Sequence, residues 1–192
     1  MKFETLPVLG AYRISLEPRN DERGFFARSW CLDTFKQHGI DFGVVQANFS
    51  HTRQRGTIRA MHYQALPRPD AKIVRCTQGL VYEVIADVRP GSPTFGAWCA
   101  TELGDDRFNM VYVPPGCAQG FQSLTDKVTV EYFMGERYEP SLYAGFRYDD
   151  PLIAIQWPLP VSVISAQDLA WAALSPPTVH AARTDQLEPV TA

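Results

Sequence analysis

Short runs that are continuously apolar, or that alternate apolar with polar, recur along most of the chain, with turn formers between them. The pattern predicts strands at Val44–Ser50, Thr57–Gln64, Lys72–Thr77, Leu80–Val88, Trp98–Leu103, Met110–Val113 and Lys127–Met134. These runs are rich in β-branched and aromatic residues, and Gly, Pro, Asp or Asn bound them. Helical periodicity is scarce. One short helix is expected over Cys31–Gln37, stopping at Gly39, a residue suited to a helix C-terminus. A second is expected over Ala166–Leu174, with Ser165 as its N-cap. Many short strands with few peripheral helices predict an all-β sandwich or jelly roll.

No repeat or linker divides the chain, and 192 residues suffice for one domain with a sizeable core. The expected domain covers residues 1–174. Beyond Leu174 the composition turns to Pro, Ala and polar residues, which predicts an exposed tail over 175–192 and gives His180 no chemical role. The charge of −3 and the absence of a basic run argue against nucleic acid as a partner. No apolar stretch reads as a secretory signal or a membrane span, so no membrane association is expected and the cytoplasm is the expected compartment. Four cysteines without CxxC spacing then read as reduced thiols in or near the core.

The chemistry enters through a spacing. Gly56 precedes His62, Gln64 follows two residues later, and Lys72 and Gly79 lie beyond. Further on comes Pro114-Pro115-Gly116-Cys117-Ala118-Gln119. This resembles the two signature motifs of the cupin superfamily, in which His, His, Glu and His hold a metal. Here those positions are His62, Gln64, Lys72 and Gln119. Amides are weak ligands for a transition metal, and a lysine ammonium repels a cation. A metal-dependent cupin oxygenase or isomerase is therefore disfavoured, and no metal or other cofactor is expected. Taken alone, His62 reads as a hydrogen-bonded core histidine. Lys72, inside a strand before Ile73 and Val74, shifts that reading, because a buried ammonium is costly without an anionic partner.

Several segments resemble the dTDP-4-dehydrorhamnose 3,5-epimerase family, a cupin branch. They are Arg23-Gly24-Phe25-Phe26, Gln46-Ala47-Asn48-Phe49-Ser50, Arg59-Ala60-Met61-His62-Tyr63-Gln64, Lys72-Ile73-Val74 and Asp87-Val88-Arg89. Gly91 to Gly96, Pro114-Pro115-Gly116, Tyr132, Tyr138, Asp149-Asp150-Pro151 and Ile155-Gln156-Trp157-Pro158 complete the series. The similarity runs over about residues 20 to 160 in family order. It implies a cupin-type jelly roll and a homodimer whose N-terminal strands reach the partner's active site. It also implies epimerisation of a nucleotide-linked 4-keto-6-deoxyhexose at C3, C5 or both. By the same resemblance His62 is the general base, Asp150 the carboxylate that orients it, Lys72 the group facing the ketone, and Tyr132 the acid on the opposite face. Arg23 and Arg59 align with diphosphate contacts, and Phe26, Gln46, Asn48 and Tyr138 with nucleotide and sugar contacts.

These residue types suit the reaction. A C–H bond beside a ketone is acidic because its anion spreads onto oxygen, where a fixed cation stabilises it. Histidine exchanges protons near neutral pH once a carboxylate fixes its tautomer. A phenol can return the proton from the other face. On their own, Tyr132 reads as a core aromatic, Asp150 before a proline as a turn residue, and the arginines as surface charges.

Four positions depart from the family pattern. Gln119 replaces the usual histidine, so a sugar contact survives while acid–base exchange is lost. Arg28 replaces a glutamate that helps bind the nucleotide; it exchanges acceptors for donors and points to a nucleotide other than dTDP. Glu83 replaces an aspartate and is expected to pair with Lys72. Ala60 replaces a glycine. Strict alternation would put Arg59 and His62 on opposite faces of their strand, which a β-bulge at Ala60–Met61 would reconcile. The alternatives to the epimerase are a non-catalytic sugar-nucleotide-binding cupin and a single-position epimerase acting on another nucleotide.

Overall fold

A computed structural model describes residues 1–175. The expected tail over 175–192, apart from its first residue, and His180 lie outside the described residues. The strands are β1 (Lys2–Thr5), β2 (Tyr12–Ser15), β3 (Arg19–Asp21), β4 (Gly24–Phe26), β5 (Gln46–Thr52), β6 (Ile58–Gln64) and β7 (Lys72–Gln78). They continue with β8 (Leu80–Asp87), β9 (Trp98–Gly104), β10 (Asn109–Val113), β11 (Cys117–Ser123), β12 (Val128–Met134) and β13 (Tyr143–Gly145). The helices are α1 (Leu32–Gln37) and α2 (Ala166–Ala170).

A six-stranded sheet, ordered β1-β2-β10-β7-β12-β5, faces a five-stranded sheet, ordered β13-β6-β11-β8-β9, and β3 pairs with β4 as a separate hairpin. All pairings are antiparallel. This is the expected jelly-roll sandwich. Alternation explains its three cores. Val74, Cys76, Val81, Ile85, Phe121 and Val130 fill the space between the sheets. Val84 and Ala86 point from the other face of β8 into a layer completed by Phe146, Ile153 and Ile155. On the outside of the six-stranded sheet, Phe35 of α1 packs with Ile73, Met110 and Ile14.

The expected elements are present, β1 to β4, β11 and β13 are strands that the pattern did not predict, and the C-terminal helix is shorter than expected. The C-terminal helix stops at Ala170 because Trp171 is extended (φ −59°, ψ 140°). Ser165 caps it as anticipated, accepting the Asp168 N–H at 3.0 Å. Cys117–Ser123 is a full strand where the sequence pattern predicted none. Gly120 permits this: a Cβ there would stand 2.7 Å from Ala60 Cα. The register between β11 and β6 shifts between Gln119↔His62 and Phe121↔Arg59, so the irregularity lies at Ala60–Met61 as anticipated. The cysteines are free thiols; Cys76, Cys99 and Cys117 are buried and Cys31 is half-buried. Among the described residues no helix is long and apolar enough to cross a membrane.

Candidate active site

The two sheets part at one end around a cleft of about 650 Å³. Gln46, Asn48, Lys72 and Tyr132 line it from the six-stranded sheet; Arg59, His62, Gln119 and Tyr143 line it from the other. Tyr138 and Asp168 close its ends. Strand parity puts the side chains of the six-stranded sheet there, and the register shift at Ala60–Met61 lets both Arg59 and His62 reach the cleft from β6. Lys72 shares the inward face of β7 with Val74 and Cys76, and Tyr132, paired with Val74, shares that of β12 with Val130.

His62 donates from Nε2 to Asp168 Oδ1 at 2.7 Å, and Asp168 Oδ2 accepts the Ala60 N–H at 3.3 Å. Asp168 is 4% exposed. Burial pushes its carboxyl up, but the His62 hydrogen bond and charge outweigh that and hold it below the usual carboxylate range. His62 Nδ1, the ring nitrogen turned away from Asp168, makes no hydrogen bond among the described residues.

This corrects the assignment of Asp150. That residue is buried in the turn after β13 and accepts backbone N–H groups from Leu152, Ile153 and Leu174 instead. Its position before Pro151 makes it a turn residue, and the carboxylate on His62 comes from α2. The one sequence signal for Asp168 was an acid three residues after an N-cap serine.

Lys72 is 7% exposed, and its Nζ lies 3.4 Å from Asp70 Oδ2. Asp70 is itself fixed by the Gln64 N–H at 3.0 Å. Glu83 is not the ammonium's ion-pair partner, contrary to expectation; both of its buried oxygens lack a hydrogen bond. Tyr132 faces the cleft from the sheet opposite His62. Burial raises its phenol pKa, with Arg59 opposing. Arg59 is anchored by Thr52 Oγ1 and the His51 carbonyl, both at 3.1 Å. Tyr143, which sequence reasoning missed, packs 5.6 Å from the His62 ring and 5.9 Å from Tyr138.

The emptied metal position at Gln64 is taken up by other bonds. The Gln64 side chain donates to the Arg68 and Arg137 carbonyls and accepts the Glu139 N–H. Among the described residues no group of three or more His, Cys, Asp or Glu side chains converges on a metal-sized point.

Arg23, Phe26 and Arg28 do not line this cleft. Arg23 is paired with Asp21 on the exposed β3–β4 hairpin, and Phe26 is 70% exposed. Phe26 and Arg28 border a separate depression with Met1, Glu17 and Thr34.

Residues 5–176 match the family model described as dTDP-4-dehydrorhamnose 3,5-epimerase. The chain belongs to this family of deoxysugar-biosynthesis epimerases. It is 36% identical to the dTDP-4-dehydrorhamnose 3,5-epimerase of Sinorhizobium fredii, over 88% of this chain and 87% of the relative. It is 35% identical to the dTDP-4-dehydrorhamnose 3-epimerase of Streptomyces niveus, over 88% and 81%. The structure of the Bacillus anthracis dTDP-4-dehydrorhamnose 3,5-epimerase with TDP and PPi bound superposes with a TM-score of 0.87. It is 32% identical and covers 90% of this chain and 99% of that one. These relatives bear out the epimerase reading and do not favour a non-catalytic binding protein.

Proposed function

We propose that this chain, as a single domain over residues 1–174, epimerises a dTDP-linked 4-keto-6-deoxyhexose at C3, C5 or both. The observation that carries the reading is the His62–Asp168 pair sharing one cleft with Lys72 and, on the facing sheet, Tyr132. His62 Nδ1 takes the proton from the carbon beside the ketone. The electron pair moves onto the ketone oxygen, where the Lys72 ammonium stabilises the enolate. Tyr132 then delivers a proton to the opposite face of that carbon, which inverts it. Arg59 grips the diphosphate with its guanidinium fork, while Gln46, Asn48, Gln119 and Tyr138 contact sugar and base. The donor set at the old metal positions, one imidazole with two amides and an ammonium, supports chemistry without a metal.

Arg23, Phe26 and Arg28 serve a second copy of the chain in this reading. Support comes from the exposed apolar surface of the hairpin and of the outer face of β5, where Phe25, Phe26 and Phe49 are 60–70% exposed. The homodimer would exchange these segments into the partner's cleft, in the cytoplasm. The names of the relatives favour dTDP over the other nucleotides that Arg28 suggested.

Incubation with the keto sugar nucleotide in D₂O tests the function, with deuterium at C3 and C5 followed by NMR. Exchange with inversion at both carbons is the 3,5-epimerase outcome. Exchange at one carbon is the single-position outcome, which the Streptomyces niveus relative and the loss of a titratable group at Gln119 favour. No exchange at either carbon contradicts the proposal.

A further inference from the structure

The Asp150 carboxylate accepts three bonds, and the turn it sits in needs only two of them. Oδ1 accepts the Leu152 N–H at 2.9 Å and the Ile153 N–H at 3.4 Å, which closes the turn. Oδ2 reaches out of the turn to the Leu174 N–H at 2.6 Å. Leu174 ends a segment that begins at the Ser165 cap and contains α2. Between them Trp171 leaves the helix and lies on Gly145, where a Cβ would come within 2.6 Å of the indole. Residues 165–174 therefore form a strap over the edge of the five-stranded sheet. Asp168 pins it to His62 and Ala60, Trp171 to β13, and Leu174 to Asp150.

A helix of five residues has almost no stability of its own, so contacts outside it decide where Asp168 sits. The Leu174 bond is short, at 2.6 Å, and its acceptor residue is 1% exposed, which makes it the main polar pin beyond the helix. We propose that Asp150 is a positioning residue: by holding Leu174 it fixes the strap that sets Asp168 against His62. This rests on the proposed role of the His62–Asp168 pair.

A double-mutant cycle tests it on the full chain. Asp150→Asn keeps an acceptor for the turn and loses the carboxylate oxygen on Leu174. Leu174→Pro removes the donor and leaves Asp150 and its turn untouched. Each is expected to lower kcat about tenfold with KM within about twofold, because a small misplacement of a catalytic partner acts on the reacting geometry. Asp168→Asn is expected to lower kcat about 10³-fold. In the Asp168→Asn background, neither strap substitution should lower kcat further. The His62 ring N–H resonance bonded to Asp168 should broaden or vanish in both strap variants.

Effects that multiply across the cycle, or an unchanged kcat and resonance, overturn the strap. If Asp150→Asn fails to fold, the Leu174→Pro arm alone decides between these outcomes. Wild-type kcat in Asp168→Asn overturns the site assignment itself, whereas a large loss there with a multiplying Asp150 effect overturns only the strap.

Discussion

Asp168 and Glu83 are both buried acids beside the cleft, 4% and 1% exposed, and their surroundings treat them in opposite ways. Asp168 accepts hydrogen bonds from His62 and the Ala60 N–H, which outweigh the effect of burial and hold it ionised. Glu83 has no hydrogen bond to either oxygen, and burial pushes its carboxyl up to about 8, with Gln119 and Lys72 opposing only in part. The corner that must orient a base keeps a fixed negative charge. The corner behind Lys72 holds an acid that burial pushes toward its neutral form, and the ammonium's ion-pair partner is Asp70 at 3.4 Å.

The comparison can be broken first at the base. His62→Asn should lower kcat by about 10⁴-fold, more than any other single change in the cleft, since it removes the proton acceptor itself. Lys72→Met should lower kcat by about 10² to 10³-fold with a smaller change in KM, because its charge matters most when the enolate forms. Equal losses in kcat and in substrate affinity would instead make Lys72 a binding residue.

The two acids should also differ in how stability follows pH. Glu83 is raised in the fold, so its contribution is full below about 4.5 and declines until pH passes about 8. Glu83→Gln should therefore gain on the wild type by up to about 1.4 kcal/mol per pH unit across that window. Asp168 is lowered, so its contribution is present at neutral pH and lost as pH falls below the ordinary carboxylate value. The stability deficit of Asp168→Asn should accordingly shrink in acid. Thermal melts from about pH 2 to about pH 9 distinguish the two, and parallel curves would erase the contrast.

The smallest expected effect concerns the nucleotide. Binding of dTDP-, CDP-, GDP- and UDP-sugars should favour dTDP, with Arg28→Glu changing dTDP affinity less than about tenfold. A clear preference for CDP or GDP would restore the reading of Arg28 as the mark of another nucleotide.

Most of the sandwich was legible because its strands alternate cleanly between two buried faces, and period two survives without any knowledge of partners. Lys72 and Tyr132 were legible for the same reason, since motif and strand parity agree on the cleft, whereas His62 was legible from its motif and needed the irregularity at Ala60–Met61. Cys117–Ser123 was missed as a strand because Gly120 argues against one locally, while its packing against Ala60 is a tertiary fact. Asp168 was missed because it lies 106 residues from His62, and a single aspartate in a short capped helix carries no mark of where that helix will dock. Asp150 was assigned to His62 by resemblance, although the proline after it already pointed to a turn.

Tyr132→Phe in D₂O separates proton removal from inversion and is the most direct measurement of the two-walled mechanism. With His62, Asp168 and Lys72 intact, the variant should still take up deuterium beside the ketone while inverting that carbon at least about 10²-fold more slowly. If Tyr132→Phe inverts at the wild-type rate, or loses deuterium uptake as completely as His62→Asn, the proposed division of labour across the cleft is wrong.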